Sequence, residues 1–262
     1  MKTNHKLSAL QILLAALCGL VLAIHRQAAA SGTEMFLVAV AAAAVLALAS
    51  LGTEKTRGKL QLRPAAPDKF AFALIAAAGF LFLLSAVGFL LQQDLSFPLK
   101  LITAAFCAFS GVVALLRLPL RDSGKIAAVY ALIPLFTMSF YLLIFYRSNG
   151  DNPYLSAYGY EMAVLLMTLL GLYAAVAGRF EKPHPLFRVA MCSIALCLLV
   201  QEGCSSLLMT HQVFAIPGFS IGTLVMLMAC GLLLCYGIAY PTVQEVFEQA
   251  DEPDDETQPD EM

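Results

Sequence analysis

The feature that most constrains this chain is a series of eight long apolar runs. Each run can cross a hydrocarbon core of roughly 30 Å as a helix that rises about 1.5 Å per residue. None alternates strictly between polar and apolar residues, as a barrel strand would. We therefore predict an all-α, polytopic integral membrane protein with eight transmembrane helices: Leu7–Ile24, Met35–Leu51, Phe70–Leu91, Leu99–Leu116, Ile126–Phe145, Tyr160–Ala177, Phe187–Leu208 and Pro217–Ala239.

The composition favours the same class. Hydrophobic residues make up 60% of the chain and charged residues 13%, whereas soluble domains have roughly 25% charged residues. The connections between the runs are short and leave no room for a soluble domain. The lipid bilayer is thus the predicted partner of most of the surface, and no nucleic-acid partner is expected.

The basic residues predict the orientation of the chain. Thirteen of the sixteen Lys and Arg residues lie before the first run or in the connections that follow the second, fourth and sixth runs. Because Lys and Arg that flank spans are retained in the cytoplasm, both termini are predicted to be cytoplasmic, in a plasma or bacterial inner membrane. Only Arg26, Lys100 and Arg147 are expected on the outer side.

The first run has an alternative interpretation as a cleavable signal peptide. Lys2 and Lys6 precede it, and AAAS at 28–31 resembles a small-residue cleavage site. The run is longer than the usual cleavable core, and Arg26 interrupts the approach to the alanines. A retained span is therefore favoured.

Similar segments recur along the chain with an offset near 120 residues. Glu34 and Glu161 each precede a methionine at the start of an apolar run, and Phe70 and Phe187 open the third member of each set. A 4+4 tandem repeat explains this better than eight independent helices. Residues 1–118 and 119–240 are the predicted four-helix repeats, and their pseudo-symmetry axis is expected to lie along the membrane normal.

Residues 241–262 form an acidic C-terminal segment. It carries half of the eighteen acidic residues and no Lys or Arg. Such a composition cannot bury enough apolar surface to fold, so we predict a disordered cytoplasmic tail. The tail is a candidate contact for a cytosolic protein partner, although a solvated tail without a partner is the simpler interpretation.

Residue patterns for metal or cofactor binding are absent from the sequence. All seven cysteines lie within apolar runs, and no Cys/His cluster has metal-ligand spacing. We therefore predict no bound metal, no cofactor and no disulfides. GFSIG at 218–222 has the spacing of a hydrolase nucleophile elbow, but it opens an apolar helix rather than following a strand. Whether the chain is an enzyme is left open, and a non-enzymatic role is favoured.

Glu202 is the residue that points to a functional site. It lies 15 residues into the seventh run, about 22 Å along a helix. A carboxylate there costs about 2.5–3.5 kcal/mol if it faces lipid, so it should point into the bundle. It would be protonated, paired with a bound cation, or paired with an arginine that reaches down from the outer rim.

Further polar residues are candidates for the same site. Ser205 and Ser206 share the helical face of Glu202, and Gln201 lies on the adjoining face. Ser85 occupies the repeat position that corresponds to Glu202, while Glu34 and Glu161 start helices on the outer side, where helix capping alone would explain them.

Two functional hypotheses follow. The first is a secondary carrier or solute-binding membrane component for a small polar solute, with Glu202 as a proton or cation site. The second is a non-transporting membrane scaffold, sensor or assembly partner. The sequence has no nucleotide-binding glycine loop, so transport would be secondary or would need a separate ATPase subunit.

The orientation can be tested by labelling intact cells with a membrane-impermeant maleimide. Ser156→Cys should react from outside and Ala65→Cys should not, because the basic connection around Ala65 is predicted to be cytoplasmic. The unmodified chain measures the background from the seven native cysteines. Labelling of Ala65→Cys in intact cells would contradict the predicted topology.

Overall fold

A computed structural model describes residues 2–28, 32–59, 69–92, 95–117, 125–150, 158–177, 185–208 and 219–240. Eight helices account for nearly all of these residues, and each is long and apolar enough to cross a membrane. This confirms the prediction of an all-helical, multi-pass class. The helices are α1 (Lys2–Ala28), α2 (Gly32–Lys59), α3 (Lys69–Leu91), α4 (Phe97–Arg117), α5 (Lys125–Asn149), α6 (Gly159–Ala177), α7 (Pro185–Leu208) and α8 (Ile221–Ala239).

Two helices begin or end at residues other than the ends of the predicted apolar runs, because polar residues extend one helix and cap the other. The second helix continues beyond the apolar residues as far as Lys59. This is possible because an α-helix satisfies its own backbone hydrogen bonds among polar residues as well as among apolar ones. The last helix begins at Ile221 because Ser220 is its N-cap, with its hydroxyl accepting from the Thr223 N–H. Thr223 Oγ1 accepts in return from the Ser220 N–H, which completes a capping box. This capping role explains the serine of GFSIG.

α7 and α8 form the centre of the bundle. α7 packs against α1, α2, α6 and α8, while α8 packs extensively along α3. These two helices are the most buried of the eight, whereas α2 is mostly exposed. Leucines and phenylalanines such as Leu48, Phe80 and Leu143 are exposed around the bundle. Exposed apolar side chains on this scale suit a surface solvated by lipid acyl chains.

Glycines let helix backbones meet at the contact between α3 and α8. A Cβ atom added to Gly88 would lie 2.8 Å from the Cα of Gly222, and one added to Gly222 would lie 2.9 Å from the Phe89 nitrogen. The Ser85 hydroxyl donates to the Gly222 carbonyl oxygen at 2.7 Å across the same contact. Close approach through small residues is a common way for helices to associate in lipid.

A separate buried network joins α1, α2 and α7. Gln11 Nε2 donates to Ser50 Oγ and to Ser193 Oγ, each at 3.0 Å. Ser50 in turn donates to the Leu46 carbonyl at 2.7 Å. The polar groups of α1 in this part of the bundle are therefore satisfied by its two neighbours.

Pro134 lies inside α5 and lines a cavity of about 50 Å³. Tyr130, whose carbonyl a residue at position 134 would normally bond, lines the same cavity. The cavity has room for a few water molecules. Its other walls come from α3, α4, α6 and α8.

Gly88→Ala should lower the free energy of unfolding of the detergent-solubilised protein by about 1–3 kcal/mol, because the new methyl group would overlap backbone atoms of α8. Gly52→Ala is the matched control, since a Cβ at Gly52 meets no atom of the described residues within 4 Å. Thermal unfolding of both variants measures the difference. Equal melting temperatures would show that α3 and α8 do not approach this closely.

Candidate functional site

The ends of three helices bring charged residues together. Arg26 lies in the last turn of α1, and Glu161 lies in the first turn of α6. A cation at a helix C-terminus and an anion at a helix N-terminus both interact favourably with the helix dipole. Glu202 reaches the same place from α7, two turns before that helix ends.

The three residues form what we call the charge cluster: Arg26, Glu161 and Glu202. Arg26 Nη2 donates to Glu161 Oε1 at 2.7 Å, and Nη1 donates to Glu202 Oε2 at 2.8 Å. The side chain of Arg26 is 20% exposed, while those of Glu161 and Glu202 are 3% and 0% exposed. One guanidinium thus joins two carboxylates on different helices. The arginine is the partly exposed member of the cluster, and the two acids are buried.

The aromatic ring of Tyr160 lies against the flat face of the Arg26 guanidinium. The Arg26 Cζ atom lies 4.4 Å from the centroid of the Tyr160 ring. A cation at this distance over an aromatic face is stabilised by the ring quadrupole. Arg26 is therefore held by two carboxylates at its edges and one ring at its face.

The charges of the cluster do not balance. Two ionised carboxylates and one guanidinium leave one formal negative charge in a region that the bundle largely shields from water. An uncompensated charge in such a place is costly, and a proton or a second cation would lower that cost.

Several polar groups around the cluster have no hydrogen-bond partner among the described residues. They include both amide atoms of Gln201, the Ser205 hydroxyl, the Tyr160 hydroxyl and Glu202 Oε1. Gln201 and Ser205 are both 0% exposed. Ser206 faces the Glu202 carboxylate from one turn further along α7. Buried polar groups are nearly always satisfied by protein, water or ligand, so this set can bind a polar molecule.

A close crossing of α1 and α7 positions Arg26. Gly19 lies two turns before Arg26, and a Cβ atom there would collide with the Cys197 carbonyl oxygen and with Val200. The absent side chain lets α1 lie directly on α7, which brings the guanidinium within reach of Glu202.

The predicted site residues have different positions in the structure. Glu202, Glu161, Gln201, Ser205 and Ser206 gather at one end of the bundle, and all five are buried. Ser85 is buried too, but its hydroxyl is used in the contact of α3 with α8. The side chain of Glu34 lies outside the described residues.

Sequence reasoning left the partner of Glu202 open among a proton, a bound cation and an arginine, and the structure selects Arg26. The signal was weak: Arg26 is one of three basic residues on the predicted outer side. The Gln11 network was missed, although Gln11 is a lone amide within the first apolar run. Among the described residues, no group of three or more His, Cys, Asp and Glu residues has metal-site geometry.

Comparisons with protein-family models, curated proteins and solved structures found no match. The class of this protein therefore follows from its own fold and side chains. It is a helical, multi-pass membrane-type protein with a partly exposed arginine between two buried glutamates.

Arg26→Met should destabilise the protein by about 3–5 kcal/mol, because it leaves two buried carboxylates without their cation. The double variant Arg26→Met/Glu202→Gln should recover much of this loss, and the matched control Arg147→Met, at an exposed position of α5, should change little. Thermal unfolding in detergent measures all three. Additive losses in the double variant would mean that Arg26 and Glu202 do not interact.

Proposed function

We propose that the chain is a secondary carrier, or the solute-binding membrane component of one, and that the charge cluster is its proton or cation site. The observation that carries the proposal is the shared guanidinium of Arg26, which leaves one buried carboxylate charge unbalanced. Ionisable groups inside membrane segments are costly and usually mark ion or substrate pathways. The substrate is a small polar solute, since the surrounding groups are amide, hydroxyl and carboxylate.

The proposed architecture consists of two four-helix repeats, residues 1–118 and 119–240, with both termini in the cytoplasm of a plasma or inner-membrane protein. Arg26 belongs to the first repeat, while Glu161 and Glu202 belong to the second. The cluster therefore connects the two repeats. Transporter sites commonly lie at such repeat interfaces.

The cavity beside Pro134 supports the same proposal from the other end of the bundle. Along α6, Glu161 and the cavity residue Ala175 are separated by 14 positions, or about 21 Å of helix. Ile75 and Val113 of the first repeat and Tyr236 of the second line this cavity. The repeats also touch there, because Ile75 and Tyr236 belong to one hydrophobic cluster. Apolar packing with some free space at this end, and ion pairs at the other, would suit a carrier that opens to one side at a time.

The alternative is a membrane scaffold or sensor. Its support is that the two ion pairs tie α1 to α6 and α7, which is also what a permanent clamp would do. In this case the acidic segment 241–262 is the contact for a cytosolic protein partner.

The decisive experiment uses proteoliposomes that contain trapped indicators of pH and of sodium ion and are exposed to a panel of amines, amino acids and sugars. At least one solute should drive a proton or sodium flux. Glu202→Gln should abolish this flux while leaving abundance in the membrane nearly unchanged, because it removes the charge but keeps the size of the side chain. Arg147→Gln is the matched control, because its exposed side chain lies outside the cluster.

Two results would contradict the carrier. One is the absence of any solute-driven flux across the panel. The other is a Glu202→Gln protein that fails to accumulate, since the carboxylate would then be needed to hold the helices together, as the scaffold alternative requires.

A further inference from the structure

The guanidinium of Arg26 is surrounded by groups of the kind that bind organic cations in general. Two carboxylates contact its edges, and the Tyr160 ring covers its face. Carboxylates bind the N–H groups of guanidinium and ammonium ions alike, and aromatic faces bind both kinds of cation. None of these groups distinguishes a tethered cation from a free one.

The binding of Arg26 leaves donors and acceptors unused. Glu202 Oε1, on a side chain that is 0% exposed, makes no hydrogen bond of ideal geometry with the described residues, and the Ser206 hydroxyl is the donor that faces this carboxylate. The Tyr160 hydroxyl, the Ser205 hydroxyl and both amide atoms of Gln201 are likewise unpartnered. Within the described part of the chain, Arg26 therefore leaves polar groups of the site unsatisfied, and a ligand with more hydrogen-bonding groups could satisfy them.

Arg26 is also placed where it can leave. It lies two residues before the end of α1, and its side chain is 20% exposed. The partly exposed Arg26 side chain could leave by a change of rotamer, whereas both carboxylates are on buried positions of α6 and α7.

We propose that the ligand of the charge cluster is a small organic cation, with a guanidinium or ammonium group, that binds Glu161 and Glu202 in place of the Arg26 guanidinium. Arg26 keeps both carboxylates ion-paired while the site is empty of ligand, although its single charge balances only one of them. The remaining groups, chiefly Gln201 and Ser205, bind the polar part of the same molecule. This inference rests on the proposed function in one respect, that the cluster is a binding site.

The test measures binding of methylguanidinium to the purified full-length protein in detergent, by thermal shift and by calorimetry. The native protein should bind it in the millimolar range, because a tethered competitor acts at an effective concentration of about this size. Arg26→Ala should bind it roughly tenfold more tightly or better, since the competitor is gone. Methylurea, which has nearly the same shape but no charge, should bind neither protein.

The matched controls separate this site from general ionic effects. Arg147→Ala removes an exposed arginine and should keep the native affinity. Arg26→Ala/Glu202→Gln should lose the gain, because one of the two carboxylates is neutralised. Sodium chloride at equal ionic strength should not reproduce the shift. If sodium does reproduce it, the site takes inorganic cations and the proposal is overturned.

Arg26→Ala is expected to be unstable, so it is also prepared with methylguanidinium present throughout. Recovery of folded protein with methylguanidinium, but not with methylurea, supports the proposal. If neither compound recovers the variant, the native protein decides: a thermal shift that disappears in Glu202→Gln supports the proposal, and no shift overturns it.

The proteoliposome assay keeps the two proposals distinguishable. Binding of methylguanidinium without any solute-driven flux would retain the cation ligand and remove the carrier. Flux driven by an uncharged solute, without methylguanidinium binding, would retain the carrier and remove the cation ligand.

Discussion

The structure depends on the cost of leaving polar groups unpaired where water is scarce. Eight helices satisfy the backbone amides internally, so the remaining choices concern side chains. The Gln11 amide nitrogen donates to serine hydroxyl groups, and the Ser85 hydroxyl donates to a carbonyl oxygen of the neighbouring helix. The charge cluster follows the same rule less completely, because one guanidinium serves two acids. The incomplete neutralisation marks this place as different from the rest of the bundle.

Arg26 combines a structural property with a proposed functional one. Its ion pairs hold the end of α1 against α6 and α7, which contributes to the fold. The same pairs use hydrogen-bond donors that a ligand could supply. A buried ion pair gives little net stability compared with apolar packing, so its presence needs a reason beyond stability. Binding and release at this position would provide that reason.

The sequence was sufficient to predict the eight helices and the inward direction of Glu202, because run length and the cost of a charge in lipid are local properties. It was not sufficient to identify the partner of Glu202. Arg26 lies 176 residues away in the chain, and only the crossing of α1 over α7 at Gly19 brings the two together. Ser85 shows the opposite limit: its place in the proposed repeat matches that of Glu202, yet its hydrogen bond lies between α3 and α8. Positions that correspond in the proposed repeat, such as Ser85 and Glu202, therefore have different hydrogen-bond partners because different helices pack against them.

The contact between Gly88 and Gly222 has a mechanical consequence. Backbone touches backbone there, so no side chain can change rotamer to let α3 slide along α8. Helices joined in this way can pivot about the crossing more easily than they can translate. Any relative movement of the two proposed four-helix repeats would then have its axis near these glycines, with displacements that grow toward the ends of the bundle.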